Sequence, residues 1–318
     1  VNDERPVLLI DALNLFTRHF VAHPAMSDHG HHVGGIVGFL NSINRCVDLI
    51  DPEKIIVVWE SGGSSKRRSQ FSEYKTHRKP QKLNRFYEDE IPNTVESQND
   101  QISVIVELLK HMPICQIYVP DCEADDVIGY VSKYFYENKK KVILSSDKDF
   151  YQLLNKNTII YSPTSKKFIN ANVVCEKFGI LADNFCLVKA ICGDPSDNIP
   201  GIKGAGFKTV AKRFPMLKAK KDVTIEDIIE TASIRSQEKR SPKIYNAISQ
   251  NEKIIKRNWK LMYLDTFCLS SFQIDRIRDT LDTFQPKRNK MNTMRTLIRE
   301  GIKTLNIDRL FLSLRRIV

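Results

Sequence analysis

Acidic residues in this chain recur just beyond short apolar runs, a placement that suits metal-assisted chemistry. Asp11 follows Val7 to Ile10, Glu60 follows Ile55 to Trp59, and Asp147 and Asp149 follow Val142 to Leu144 through Ser145 and Ser146. After Gln116 to Val119 comes Pro120-Asp121-Cys122-Glu123-Ala124-Asp125-Asp126, then the apolar-periodic Val127, Ile128 and Val131. That order puts carboxylates at a helix amino terminus, where the dipole favours them. A fifth group is Gly193-Asp194-Pro195-Ser196-Asp197-Asn198. Asp121 taken alone reads as a helix cap. Five groups, four of them at strand ends or the turns after them, read instead as one shared crevice. Carboxylates so crowded repel unless cations neutralise them, and oxygen-only ligation selects hard ions such as Mg²⁺ or Mn²⁺.

Basic residues gather nearby. Residues 66 to 85 hold Lys66, Arg67, Arg68, Lys75, Arg78, Lys79, Lys82 and Arg85 against the single acid Glu73, with Phe71 and Tyr74 interleaved. Cations with stacking rings between them suit a nucleic-acid backbone and its bases. Gly201, Gly204 and Gly206 permit a tight turn before a helix over Phe207 to Phe214, with Lys203, Lys208, Lys212 and Arg213 close by. Basic walls around an acidic, metal-holding floor describe phosphodiester hydrolysis.

The elements that must position these groups follow from periodicity. Apolar runs at Val7 to Ile10, Ile55 to Trp59, Gln116 to Val119, Val142 to Leu144 and Thr158 to Tyr161 are predicted strands. Between them Ile36, Leu40, Ile43, Val47 and Ile50 keep helical spacing, as do Ile102, Ile105 or Val106, and Leu109. This alternation predicts an α/β fold: a mostly parallel central sheet with helices on both faces and the functional groups beyond the carboxyl ends of its strands. Between the second and third strands lies an insertion of about 45 residues, longer than a compact link needs. From about residue 183 the pattern turns helical and polar, with an ambiguous run at Leu261 to Leu264. The expected organisation is therefore a nuclease-type core over residues 1–182, with an insertion over about 62–100, followed by a helical region over 183–318. In Pro286 to Val318, nine Lys or Arg accompany Met291, Met294, Leu297 and Ile298 at helical spacing, which predicts a packed helix with a basic face.

Composition narrows the classes. The chain has 318 residues, 42% of them hydrophobic and 27% charged, enough for a buried core and unlike a disordered chain. No apolar run approaches the roughly 20 residues that span a bilayer, and no secretory signal is visible at the amino terminus, so a cytoplasmic protein with no membrane partner is expected. Lys plus Arg exceed Asp plus Glu by 49 − 38 = 11, which favours a polyanionic partner. The seven Cys form no C-x-x-C pair, arguing against a disulfide framework or thiolate zinc. His29, His31 and His32 read as a polar loop rather than a metal site.

In order along the chain, Cys122-Glu-Ala-Asp-Asp126, Ser145-Ser-Asp-Lys-Asp-Phe150 and Gly193-Asp-Pro-Ser-Asp-Asn-Ile-Pro-Gly201 resemble the 5′-nuclease superfamily. That superfamily includes flap endonucleases, the 5′-nuclease domain of DNA polymerase I and bacteriophage 5′→3′ exonucleases, and the resemblance covers about residues 7 to 215. It implies a PIN-like core, a helical arch, a helix-three-turn-helix at the glycine turn, often with a bound K⁺, and two or more Mg²⁺ ions, replaceable by Mn²⁺. By resemblance, Asp11, Glu123, Asp125 and Asp126 would build one metal position and Asp147, Asp149, Asp194 and Asp197 the other. Glu60 departs from the Asp usual at its position, and its extra methylene would move a ligand or put a water in its place. Lys75 and Arg78 would steady the scissile phosphate, Tyr74 would stack on the terminal base, and Arg67, Arg68, Lys82 and Arg85 would line the strand's path. Gly201, Lys203, Gly204, Gly206 and Lys208 would grip duplex backbone.

The resemblance implies a monomeric, structure-specific 5′ nuclease, both 5′→3′ exonuclease and flap endonuclease. Its substrate would be DNA with a 5′ single strand or flap beside duplex. Removal of RNA primers from an RNA/DNA hybrid, and work alongside replication proteins, are compatible with it. Two other readings stand beside this one: a DNA-structure-binding protein with weak catalysis, motivated by Glu60, and an RNA-processing nuclease on a related fold.

Overall fold

Val7-Leu8-Leu9-Ile10 is apolar at every position, the signature of a strand covered on both faces. In the computed structural model, which describes residues 5–60, 62–76 and 95–318, it forms β1 (Val7–Asp11) with all five residues buried. With β2 (Lys54–Trp59), β3 (Cys115–Tyr118), β4 (Lys141–Leu144), β5 (Thr158–Ser162) and β6 (Lys167–Ile169) it builds a sheet in the order β3-β2-β1-β4-β5-β6. Pairing is parallel throughout except between β5 and β6. The strand β6 is not predicted from the sequence: it is three residues long and carries no apolar run. β1 pairs with β2 on one side and β4 on the other, so the strand order reverses beside it and leaves a crevice at the carboxyl ends.

The helices are α1 (Ala12–Ala22), α2 (Gly34–Ile50), α3 (Ser65–Gln70), α4 (Val95–Leu109), α5 (Ala124–Tyr130), α6 (Ala171–Phe178), α7 (Phe185–Cys192) and α8 (Phe207–Arg213). Then follow α9 (Met216–Ala219), α10 (Ile225–Ser236), α11 (Lys243–Ser249), α12 (Glu252–Met262), α13 (Ser271–Thr283), α14 (Lys290–Arg299) and α15 (Ile307–Ser313). Alternation along β1 splits the core. Leu8 and Ile10 pack with Phe16, Phe39, Leu40, Ile105, Leu297 and Leu310, whereas Val7 and Leu9 pack with Val127, Ile128, Phe185, Val188 and Leu261. Helices thus cover both faces, and those beyond residue 183 divide between them: α12 lies on one side, α14 and α15 on the other. The ambiguous run at Leu261 to Leu264 is the last turn of α12 and the segment after it.

The basic carboxyl-terminal segment differs from its prediction. It forms two helices rather than one, and Met291, Met294 and Ile298 are exposed. Thr293, Thr296 and Leu297 face inward instead. Polar contacts set that rotation: Thr296 donates to Glu107 at 2.9 Å, Arg299 pairs with Glu107 at 2.7 Å, and the Asn289 amide donates to the His111 carbonyl at 2.8 Å. The histidine loop is held by protein groups: a His32 ring nitrogen meets the Phe20 carbonyl at 3.0 Å and a His29 nitrogen meets that of Arg299 at 2.9 Å.

Candidate active site

The carboxyl ends of β1, β2 and β4 carry acids because each strand stops where an apolar run gives way to residues that seek solvent or ions. Asp11 caps α1, accepting from the Asn14 amide at 3.2 Å and from Ser145 Oγ at 3.0 Å. Burial pushes its carboxyl up to about 7, helped by the charges of Asp147 and Glu60. Asp147 caps the 3₁₀ turn after β4 and accepts from the Asp149 amide at 2.9 Å. Asp125, in the first turn of α5, is raised well above the ordinary carboxylate range by burial and by Asp147 and Asp11. Asp11, Glu60, Asp125 and Asp147 thus share one field, as expected for groups converging on a crevice.

The second half of the site lies across α7. Asp149, Asp194 and Asp197 each offer an oxygen, and these oxygens lie within 4.8 Å of one another. The Lys189 ammonium pairs with Asp149 and sits 2.7 Å from Asp194. Burial pushes Asp149 up to about 6 against the pull of Lys189. Asp194 is held below its usual range because Lys189 and Ser196, whose Oγ donates to it at 2.6 Å, outweigh burial. A cavity of about 430 Å³ opens here, lined by Asn14, Asp147, Lys189, Asp194, Ser196 and Phe207 among others. The motifs in the sequence do not single out Lys189. Its signal is that it is the only charged residue in the apolar run Phe185-Cys-Leu-Val-Lys-Ala-Ile-Cys192.

Glu123, Tyr74 and Lys75 join the halves. Glu123 is the N-cap of α5, in a capping box with Asp126, so Asp121 does not cap that helix. Asp121 is exposed and instead accepts from the amide and hydroxyl of Ser65 at 2.7 and 2.6 Å. Lys75 Nζ lies 2.8 Å from Glu123 and 4.0 Å from Asp197. Burial raises the Glu123 carboxyl, but Arg67 and Lys75 more than offset it and hold it below the usual range.

Three residues depart from their expected roles. Arg67 is 2% exposed and donates from its two terminal guanidinium nitrogens to Asp126 at 2.5 and 2.7 Å and from its Nε to the Leu261 carbonyl at 2.8 Å. It therefore faces the protein's own acid rather than a DNA backbone. Asp126, fully buried and occupied by that fork, is a structural partner rather than an open ligand. Tyr74 is 5% exposed, and its hydroxyl donates to Glu123 at 3.0 Å, so its ring offers no free stacking face. Burial and the Glu123 charge push its phenol pKa up, which keeps it a donor.

Arg68 is exposed and donates to the Gly62 carbonyl at 3.1 Å. Arg78, Lys82 and Arg85, and the middle of the expected arch, lie outside the described residues. At the glycine turn, β7 (Gly193–Asp194) and β8 (Ile199–Pro200) form a small antiparallel hairpin between α7 and α8. A Cβ on Gly201 would stand 1.9 Å from the Cys192 carbonyl oxygen, so only glycine fits there. Gly204 has a φ of +84°, and Lys203, Gly204, Gly206 and Lys208 are exposed around it.

The donor set fits hard divalent cations: it is carboxylate oxygen throughout, and the half-buried ammonium groups of Lys75 and Lys189 already sit among these acids as internal counter-charges.

A family model described as the 5′-3′ exonuclease, N-terminal resolvase-like domain, matches residues 6–179. The chain is 31% identical over 207 residues to the 5′-3′ exonuclease of Aquifex aeolicus, covering 64% of this chain and 67% of that protein. It is 32% identical over 208 residues to the thermostable DNA polymerase I of Thermus aquaticus, covering 65% of this chain but 23% of that protein. In fold it is similar to the bacteriophage T5 5′-exonuclease with bound zinc, at a TM-score of 0.67 and 21% identity over 87% of this chain and 99% of that one. The catalytic core of Rad2 in complex with DNA substrate aligns at a TM-score of 0.54 and 16% identity over 99% of this chain and 92% of that one. Among the described residues no helix is long and apolar enough to cross a membrane.

Proposed function

We propose, since the chain belongs to the 5′-3′ exonuclease family and is a structure-specific 5′ nuclease, that it hydrolyses DNA at junctions between a 5′ single strand and duplex, acting as both exonuclease and flap endonuclease. The observation that carries this reading is the gathering of acids from β1, β2, β4, α5 and the hairpin at the carboxyl ends of the central strands, with Lys75 and Lys189 among them. Mg²⁺ ions held there would activate water and neutralise the leaving 3′ oxygen. Asp11, Asp125 and Asp147 would hold one ion and Asp149, Asp194 and Asp197 another, with Glu60 and Glu123 at the margins.

The chain's own groups do the rest. Lys75 exchanges its contact with Glu123 for the scissile phosphate, and Arg78 has the same task of steadying that phosphate. Tyr74 keeps Glu123 oriented by its hydroxyl, and Ser145 does the same for Asp11. Arg68, Lys82 and Arg85 guide the single strand, while Lys203 and Lys208 meet duplex backbone at the glycine turn with no group reading bases. K⁺ at that turn is tested by comparing duplex affinity in K⁺ and Na⁺. RNA primers, cooperation with replication proteins, a monomeric state and a cytoplasmic location extend the same proposal.

The test is cleavage of a 5′-labelled flap duplex with Mg²⁺, an EDTA control and Asp147→Asn. Short 5′ products that need both metal and Asp147 are expected. Tight binding without cleavage in Mg²⁺ and in Mn²⁺ would sink the catalytic reading and point to Glu60.

A further inference from the structure

Two segments about 125 residues apart in sequence meet beside the acids. The Lys75 amide donates to the Asp197 carbonyl at 3.0 Å, and Asn198 Nδ2 donates to the Glu73 carbonyl at 2.9 Å, 125 positions away. Lys75 and Asn198 both hold left-handed backbone, with φ of 59° and 60°. Neither is glycine, so each conformation is maintained by what surrounds it. Asn198 meets two demands at once. It tolerates left-handed φ, as glycine does, and it carries an amide donor, as glycine does not.

The place of this contact gives it a role. Asn198 ends the 3₁₀ turn Pro195–Asp197, inside the hairpin of β7 and β8. The same hairpin leads through the tightly packed Gly201 into the exposed Lys203 and Lys208. On the other side, Lys75 reaches Glu123 at 2.8 Å and Asp197 at 4.0 Å. One small unit therefore joins the exposed lysines of the glycine turn to a cation held among the acids.

We infer that Asn198 is a positioning residue that couples the hairpin to Lys75, so that seating duplex at the glycine turn sets where the Lys75 ammonium stands during hydrolysis. This rests on the nuclease reading above.

A double-mutant cycle tests it. Asn198→Gly keeps the backbone conformation and deletes the amide, and Asn198→Asp keeps the side-chain size but turns an oxygen toward the Glu73 carbonyl. Single-turnover cleavage of a 5′ flap duplex with Mg²⁺, flap affinity in EDTA and thermal melting are measured for both, for Lys75→Ala and for Asn198→Gly/Lys75→Ala. Losing one hydrogen bond that positions a reacting group is expected to slow cleavage by Asn198→Gly about tenfold. Its flap affinity should stay within about twofold, well under the 1.4 kcal/mol of a tenfold change. Asn198→Asp is expected to be at least as slow, and the double variant no slower than Lys75→Ala alone. An additive double variant, or Asn198→Gly cleaving at the wild-type rate, would overturn the coupling while leaving the nuclease reading intact. A wild-type chain that cuts no flap would overturn both.

Discussion

Replacing Arg67 by Met probes the buried ion pair that departs most from the sequence expectation, in which Arg67 serves Asp126 and also stands 3.3 Å from Glu123. Arg67 and Asp126 are 2% and 0% exposed, with two short bonds between them and a third from Arg67 to the Leu261 carbonyl on α12. Methionine fills much of the volume but leaves Asp126 without its counter-charge. Breaking a buried pair from one side costs about 3–5 kcal/mol, and the lost bond to Leu261 adds about 1 kcal/mol. The expected loss is therefore about 4–6 kcal/mol, a large part of the roughly 5–15 kcal/mol that holds most domains folded. Urea denaturation reads it directly. At a slope near 3 kcal/mol/M the midpoint should fall by more than about 1 M. Arg67→Met/Asp126→Leu should recover most of that loss, since an apolar pair of similar size removes the stranded charge. A single variant within about 0.3 M of wild type, or a double variant no better than the single one, would refute the reasoning. So would a single variant of normal stability that has lost flap affinity, because the guanidinium would then be facing DNA.

Lys189→Met removes the ammonium between Asp149 and Asp194; metal-free thermal stability should fall, and added Mg²⁺ should raise the melting temperature by more than in wild type. An equal rise in both chains would show that Lys189 does not offset these acids. Gly201→Ala forces a Cβ to within 1.9 Å of the Cys192 carbonyl oxygen, whereas Gly206→Ala enters open space. The first should cost about 3 kcal/mol in urea titration and the second almost nothing, and comparable losses would contradict the close approach. Burial pushes the His19 ring down to about 4, aided by Arg18, His23 and Arg45. The unfolded ring titrates near 6.5 (about its ordinary value) and so binds the extra proton, which means stability falls as pH drops from about 6.5 toward about 4. His19→Gln should flatten that decline between pH 7 and 5, and an unchanged slope would remove His19 as its source.

The acids at the ends of β1, β2 and β4 were legible because a fully apolar run that stops at a carboxylate marks a buried parallel strand opening into the crevice at its carboxyl end. Gly201 was legible as a turn, though its reason, contact with Cys192, is tertiary. The cations were harder. In sequence, Arg67 and Lys82 are equivalent members of one basic stretch, and the partners that turn Arg67 inward, the Asp126 carboxylate and the Leu261 carbonyl, lie 59 and 194 positions away. Yet charge balance contains the missing constraint. Nine expected carboxylates against two divalent ions leave 9 − 4 = 5 negative charges in one crevice, too many to stay ionised together without help. The fold answers with Arg67, Lys75 and Lys189 turned toward those acids and with Asp11 and Asp125 pushed toward their neutral forms. A crowded acidic site thus implies inward-facing cations elsewhere in its own chain. A lone lysine in an apolar helix, such as Lys189, is where the sequence itself offers such a cation, because burying that ammonium without a partner would be too costly.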